Sequence, residues 1–472
     1  MKKNILEYEF YYFLGVGGIG MSALARYFRH YKKLCAGYDK TPTILTSQLE
    51  QEGVEIHYDE NIEYLQYLFT EIKQENILII YTPAVPATHR EFVWLKQGGY
   101  QIKKRSQVLG EIASNYKTIA IAGTHGKTTT ATMVAHILKT AGLNCFAFLG
   151  GISKNYETNL LLASDDNQHE NNFLVVEADE YDRSFLTLNP DGAVITSVDP
   201  DHLDIYGNPD AVLESFTQFT NQIKPGGHLI VKNSVDNTLR LKNERNTYSV
   251  ISLPDSETAT FCAKNIKVSN AEFYFDYQSP FSSLNNLHLG IPGKHNVENA
   301  VGAAAICECF GISAQTITKA LDSFLGVKRR FDYRIKKENL VYVDDYAHHP
   351  EELKAAIGAA KSLYPEKKIT GIFQPHLFSR TRDFAEEFAN ALDLLDECIL
   401  MPIYPAREEP IDGINSEMLL SKMKIKNKII LDKKVIIDYL KKQKIQVLLT
   451  MGAGDIDTIV NPIEKMLNEV LI

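Results

Sequence analysis

The chain has 472 residues, too many for one ordinary core and enough for two or three domains. Hydrophobic residues make up 44%, charged ones 23% and aromatics 10%, and no stretch approaches the roughly 20 consecutive apolar residues that cross a bilayer. The net charge of -9 argues against a nucleic-acid partner, which asks for a basic face, so any phosphate bound here is expected to be small and held locally.

Lys2 and Lys3 before ILEYEFYYFLG imitate the start of a secretion signal, but Glu7 and Glu9 interrupt the apolar run, which reads as a first strand. From residue 8 onward, short β-rich apolar runs alternate with helix-length periodic segments, which predicts an α/β fold of parallel sheets covered by helices. Residues 1–112 form a first block: strand FYYFLG, a helix after Gly20, strand LCAGYD, and strands at ILIIY and near Ile102. Residues 113–326 form a second, in which strand TIAIAG leads into a helix at Lys127, followed by FLVVEAD, GAVITSVD and a β-rich stretch. Residues 327–472 form a third, with strands LVYVDD, ITGIF, ECILM and IQVLLTMG and helices from Pro350 and Ser379. Cys35, Cys145, Cys262, Cys307, Cys309 and Cys398 show no CxxC spacing and read as reduced thiols of a cytosolic protein, the neighbouring Cys307 and Cys309 as helix packing.

Gly15-Val-Gly17-Gly18-Ile19-Gly20 follows a strand and opens a helix, with Asp39 ending the next strand, the geometry in which a helix N-terminus receives a pyrophosphate. The loop alone does not say which diphosphate. Gly123-Thr124-His125-Gly126-Lys127-Thr128-Thr129 also joins a strand to a helix. It departs from the usual phosphate-loop spacing, because Ile121 and Ala122 stand where the first glycine is expected. It still supplies inward amides, a lysine for the β and γ oxygens, and a hydroxyl for Mg²⁺. Glu177-Ala-Asp-Glu180 and Asp201-His202-Leu-Asp204 end two buried-type strands, and strand ends of an open parallel sheet converge on the ligand crevice. Glu177 and His202, with Thr128, are therefore the expected Mg²⁺ ligands. Lys294-His295-Asn296-Val-Glu-Asn299 precedes an alanine-rich helix; Asn296 either caps that helix or reads an adenine edge.

In their order and spacing, GVGGIGMSALA, GTHGKTTT, EADEYDRSF, DHLDIYG, HNVENA, KRRFD, DDYAHHP and FQPHLFSRTRDF resemble the Mur ligases of peptidoglycan synthesis over nearly the whole chain. The resemblance implies a Rossmann-like N-terminal domain for a UDP-sugar, a central P-loop ATPase-type domain, and a Rossmann-like C-terminal domain that closes over an amino acid. It assigns Gly15, Gly17, Gly18, Ile19 and Gly20 to the UDP diphosphate, with Asp39 on the uridine side. ATP falls to the 123–129 loop and to His295, Asn296 and Asn299, and Mg²⁺ to Thr128, Glu177 and His202. Arg330 would reach the γ-phosphate, Asp345, Tyr346 and His348 would meet ATP and substrate on closure, and Arg380, with His376 beside it, would grip the carboxylate of the incoming amino acid. A guanidinium fork suits that task because it binds a carboxylate bidentately.

Later-step members carry a carbamylated lysine downstream of the metal histidine, and no lysine lies between His202 and Lys224 here, which points to the alanine-adding or tripeptide-recycling branch. The first glycine loop looks more like the alanine-adding branch. The implied reaction is ATP-dependent ligation of L-alanine to the lactyl carboxylate of UDP-N-acetylmuramate through an acyl phosphate, with Lys127 and Arg330 neutralising charge and His348 or Asp345 as base. A cytoplasmic monomer or homodimer is expected. The rivals outside the family are an NAD(P)-dependent oxidoreductase, suggested by the first glycine loop and Asp39, and a nucleotide sensor without turnover.

Overall fold

A computed structural model describes residues 3–163, 172–200, 203–232, 235, 239, 247–252, 260–406 and 408–470. The α/β reading holds: the described residues form three sheets, each dominated by parallel pairing. The first orders its strands Glu55–His57, Leu34–Tyr38, Phe10–Leu14, Ile77–Tyr81, Gln101–Lys104. FYYFL is buried along its whole length because helices cover both faces of a parallel sheet, which is why the sequence shows a continuous apolar run rather than alternation. Phe10–Leu14 pairs with Leu34–Tyr38 on one side and Ile77–Tyr81 on the other, so the chain reverses direction across this strand and opens a crevice at its carboxyl end.

The second sheet has ten strands, in the order Ser283–Leu289, Glu272–Gln278, Phe261–Ser269, Thr247–Ser252, His228–Lys232, Gly192–Ile195, Lys117–Ala122, Phe173–Glu177, Cys145–Ser153, Thr158–Leu161. Lys117–Ala122 lies between Gly192–Ile195 and Phe173–Glu177, so the loops following all three leave the sheet at one edge. The third sheet orders Asp332–Lys336, Val341–Asp345, Val447–Met451, Ile369–Phe373, Glu397–Leu400, Lys428–Ile430, with an antiparallel Asp332–Lys336 at its edge. By contacts the chain falls into two compact units: Met1–Cys262 with Tyr277–Leu284 and Asn299–Leu321, and Ala263–Asp276 with Asn285–Glu298 and Asp322–Ile472.

Two boundaries differ from the sequence reading. The first glycine-loop helix spans Ile19–His30, starting one residue before Gly20 because Gly18 already stands in the extended N-cap conformation. Asn296 is not an N-cap: the helix Lys294–Cys309 begins two residues before it, and its side-chain amide instead donates to the Pro292 carbonyl at 2.6 Å. Several short helices, such as Ile44–Gln51 with its Thr43 capping box, were not anticipated; with eight residues the segment is too short to show a period.

Candidate active site

Three strand ends of the second sheet build the phosphate loop. Gly126 caps helix Lys127–Thr140 with φ +81, and a Cβ there would stand 2.6 Å from Asn299 Oδ1; only glycine combines that backbone with that approach. The loop is braced from the end of Gly192–Ile195: the His125 amide donates to Ser197 Oγ at 2.8 Å, the Thr124 amide to the Ser197 carbonyl, and the Thr124 hydroxyl to the Asp199 carbonyl at 2.8 Å. Thr129, at the third position of the helix, is buried.

Lys127 is anchored by the Gly123 carbonyl at 2.6 Å and lies 2.8 Å from Glu180, itself 3% exposed. Burial works against the ammonium charge, but Glu180, Glu177 and Asp179 together outweigh it and hold Lys127 above its ordinary value. Burial pushes the Glu180 carboxyl up while Lys127 pulls it back. The Thr128 hydroxyl donates to Glu177 Oε2 at 2.8 Å, and Gly150 makes room for that carboxylate, since a Cβ at 150 would stand 2.0 Å from it. A hydroxyl and a carboxylate side by side are hard oxygen donors that fit Mg²⁺. Among the described residues no group of three or more His, Cys, Asp or Glu side chains is placed to hold a metal, and His202, the expected third ligand, lies outside the described residues.

The first glycine loop borders a cavity of about 760 Å³ whose lining runs from Gly15, Gly17, Ile19 and Asp39 to Glu177 and Asp179. The amides of the loop itself are spent internally. Gly15 and Val16 donate to the Tyr38 carbonyl, Gly18 donates to Gly15, and Gly17 donates to Asp39 Oδ2 at 2.7 Å. Asp39 therefore fastens the loop, a duty its motif position did not reveal. The first-turn amides of the helix, those of Ile19 and Gly20, have no partner within the helix and suit an anion. Arg105 was not singled out from the sequence, and Asp179 and Glu180 were read with the strand-end carboxylates facing the phosphate loop but given no role of their own. Glu180 had a signal, the EADE run beside a phosphate-loop lysine; Arg105 had none.

The second unit gathers another set at the carboxyl end of Val341–Asp345. Asp345 accepts from the amides of Phe331 and Ala347, each at 2.7 Å, and burial pushes its carboxyl up to about 6 against the pull of Arg330. The Arg330 guanidinium lies over the Tyr346 ring, 5.2 Å from its centre, and 3.9 Å from Glu352. His348 Nδ1 lies 3.0 Å from the Tyr346 carbonyl, an acceptor only, so the proton resides on Nδ1 and Nε2 is left with its lone pair. Burial holds His348 down to about 4, opposed by Glu352 and assisted by Arg380. The His376 ring is 6.0 Å from that of His348 and stacks on Tyr404, and Arg380 is 8% exposed on the short helix Phe378–Asp383. In the same unit His295 is half-buried and Asn296 buried.

A first glycine loop whose cavity reaches Glu177, and a second whose lysine and hydroxyl each contact a carboxylate, define a nucleotide-dependent enzyme in which phosphoryl chemistry meets a second bound substrate. Comparison with known families is specific: the Mur ligase catalytic domain matches residues 10–117, the Mur ligase middle domain 121–307, and the Mur ligase glutamate ligase domain 329–454. The chain belongs to the Mur ligase family, whose members are ATP-dependent. It is 48% identical over 459 residues to UDP-N-acetylmuramate--L-alanine ligase of Phocaeicola vulgatus, covering 97% of this chain and 98% of the relative. Among solved structures it is similar to UDP-N-acetylmuramate-alanine ligase MurC from Thermotoga maritima, with TM-score 0.79, 26% identity, and 97% and 99% of the two chains covered. The murein peptide ligase of Psychrobacter arcticus, 23% identical with TM-score 0.72 and 97% and 98% covered, shares the fold.

Proposed function

We propose that this enzyme joins L-alanine to the lactyl carboxylate of UDP-N-acetylmuramate, consuming ATP and releasing ADP and phosphate, in peptidoglycan precursor synthesis. The observation that carries this reading is that Glu177 belongs to both places: it contacts Thr128 of the phosphate loop and lines the first glycine-loop cavity. A carboxylate presented from that cavity therefore arrives beside the γ-phosphate position.

In the first step a carboxylate oxygen of the sugar's lactyl group attacks the γ-phosphorus, the bond to the β-phosphate oxygen breaks, and ADP leaves. Lys127 changes partner here, from Glu180 to the phosphate oxygens, and Arg330 adds a second positive charge. Mg²⁺ held by Thr128 and Glu177, with His202, would neutralise oxygens of the transferring group. In the second step the neutral amine of alanine attacks the acyl carbon and phosphate departs. The amine's surplus proton needs an acceptor; His348, with Nε2 unprotonated at neutral pH, is the better placed of the two candidates by its tautomer, and Asp345 is the other. Arg380 receives the alanine carboxylate, Tyr346 and His376 flank it, and His295, Asn296 and Asn299 serve the adenine side.

The domain limits 1–112, 113–326 and 327–472 are proposed with this function, supported by the three family matches, as are a cytoplasmic location and a monomeric or homodimeric state. No described helix is long and apolar enough to cross a membrane. The test is phosphate release from ATP and Mg²⁺ with UDP-N-acetylmuramate, comparing L-alanine, the tripeptide L-Ala-γ-D-Glu-meso-diaminopimelate, and no amine. Alanine-dependent release is expected; release with the tripeptide alone would move the protein to cell-wall recycling, and release with neither would leave a nucleotide sensor.

A further inference from the structure

The first glycine loop has too little positive charge of its own for the anion it is meant to hold. Its Gly15, Val16, Gly17 and Gly18 amides are bonded within the protein, and the cavity beside it is lined by four carboxylates, Asp39, Glu60, Glu177 and Asp179. Lys40 and Arg105 are the permanent cations of that lining. Arg105 is the one set against the helix N-terminus. A Cβ on Gly20 would stand 2.9 Å from its Nη1, so the guanidinium lies over the first turn, whose Ile19 and Gly20 amides have no partner within the helix. Its other terminal nitrogen, Nη2, donates to Asp179 Oδ2 at 3.2 Å. The pair is only partly buried, with the arginine side chain 21% and the aspartate 38% exposed, so it is accessible to an incoming anion.

We infer that Arg105 is a substrate-binding residue that grips the anionic part of the UDP-sugar beside the first glycine loop, and that Asp179 is a placeholder which it releases on binding. The inference rests on the reading of this cavity as the UDP-sugar site. A guanidinium suits the exchange because its fork binds a phosphate as well as a carboxylate, and a diphosphate carries more charge than Asp179. The neighbouring ion pair, Lys104 with Asp182 at 2.7 Å, keeps the start of helix Arg105–Ala113 docked on the same acidic turn while Arg105 moves. Asp179 is also adjacent in sequence to Glu180, so the exchange takes place one residue from the carboxylate that holds the phosphate loop's lysine.

The test is calorimetric titration of UDP-N-acetylmuramate, without ATP, into the full chain and its Arg105→Ala, Arg105→Lys and Asp179→Asn variants, with ATP affinity measured in parallel. Arg105→Ala is expected to bind the UDP-sugar about 10- to 100-fold more weakly with ATP affinity changed less than about twofold, since one charge-assisted contact is lost. Arg105→Lys should fall between, and Asp179→Asn should bind as tightly as wild type or tighter, because the competing charge is gone. Unchanged affinity in Arg105→Ala and Arg105→Lys would overturn the inference. Equal weakening in Arg105→Ala and Asp179→Asn would overturn it too, by making the pair a scaffold. Failure of the wild type to bind the UDP-sugar at all would instead fell the reading of the cavity, and the inference with it.

Discussion

Lys127 of the phosphate loop and Glu180, beyond the end of strand Phe173–Glu177, form a buried ion pair at 2.8 Å, so the lysine is held charged and in place before any nucleotide arrives. The arrangement costs desolvation of two charges, and a partner that can be exchanged for phosphate oxygens puts that cost to use at the reacting centre.

Lys127→Ala removes the charge and strands a buried carboxylate. A loss in kcat/KM of about 10²–10³, or roughly 3–4 kcal/mol, is expected by analogy with removing one preorganised donor. Turnover near that of the wild type in a phosphate-release assay would remove the loop from the mechanism.

Thr128→Ala and Glu177→Gln each take away one hard oxygen of a touching pair. The Mg²⁺ concentration for half-maximal rate should rise about 10- to 100-fold, with KM for alanine little changed. Equal Mg²⁺ requirement in all three proteins would mean that the metal is held elsewhere.

Arg380→Ala is expected to raise KM for alanine far more than KM for ATP, by about 10- to 100-fold for the loss of a charge-assisted carboxylate contact. Parallel changes in both constants would show that the arginine shapes the domain and does not grip the amino acid.

His348 and Asp345 depend on pH in opposite senses. His348 is held at about 4 from an unfolded 6.5, so its neutral form contributes stability that is fully present above pH 6.5 and lost as pH falls towards 4. Asp345 is raised to about 6 from 3.8, so its protonated form contributes stability present below pH 3.8 and lost as pH rises through 6. His348→Gln should therefore flatten the acid-side fall in melting temperature between pH 6.5 and 4. Asp345→Asn should flatten a rise-with-acid over the window 3.8 to 6. Melting curves that keep the wild-type slope in both variants would contradict these assignments.

Gly126→Ala forces a left-handed φ on a residue with a Cβ and pushes that Cβ to 2.6 Å from Asn299 Oδ1. A stability loss of at least about 1–2 kcal/mol is expected, together with weaker ATP binding. Melting and nucleotide titration of the variant check both.

The class and its two glycine loops were legible in the sequence because each is local chemistry. FYYFL and TIAIAG are continuous apolar runs that only a two-sided parallel sheet buries, and Gly15, Gly123 and Gly126 stand where the chain takes positive φ. Local signals misled where two tertiary outcomes share one pattern. Asn296 looks like a cap in isolation but bonds back to Pro292 inside the first helical turn.

What the amino-acid order alone determined is the fold class, the family, and the residues whose spacing follows from a backbone turn. What only tertiary structure decided is which charges meet: Lys127 with Glu180 across 53 residues, Arg105 with Asp179 across 74, Arg329 with Asp344 across 15. Such pairs leave no periodic trace, because an ion pair depends on distance in space, and that distance is set by how strands order in a sheet and not by how far apart residues stand along the chain.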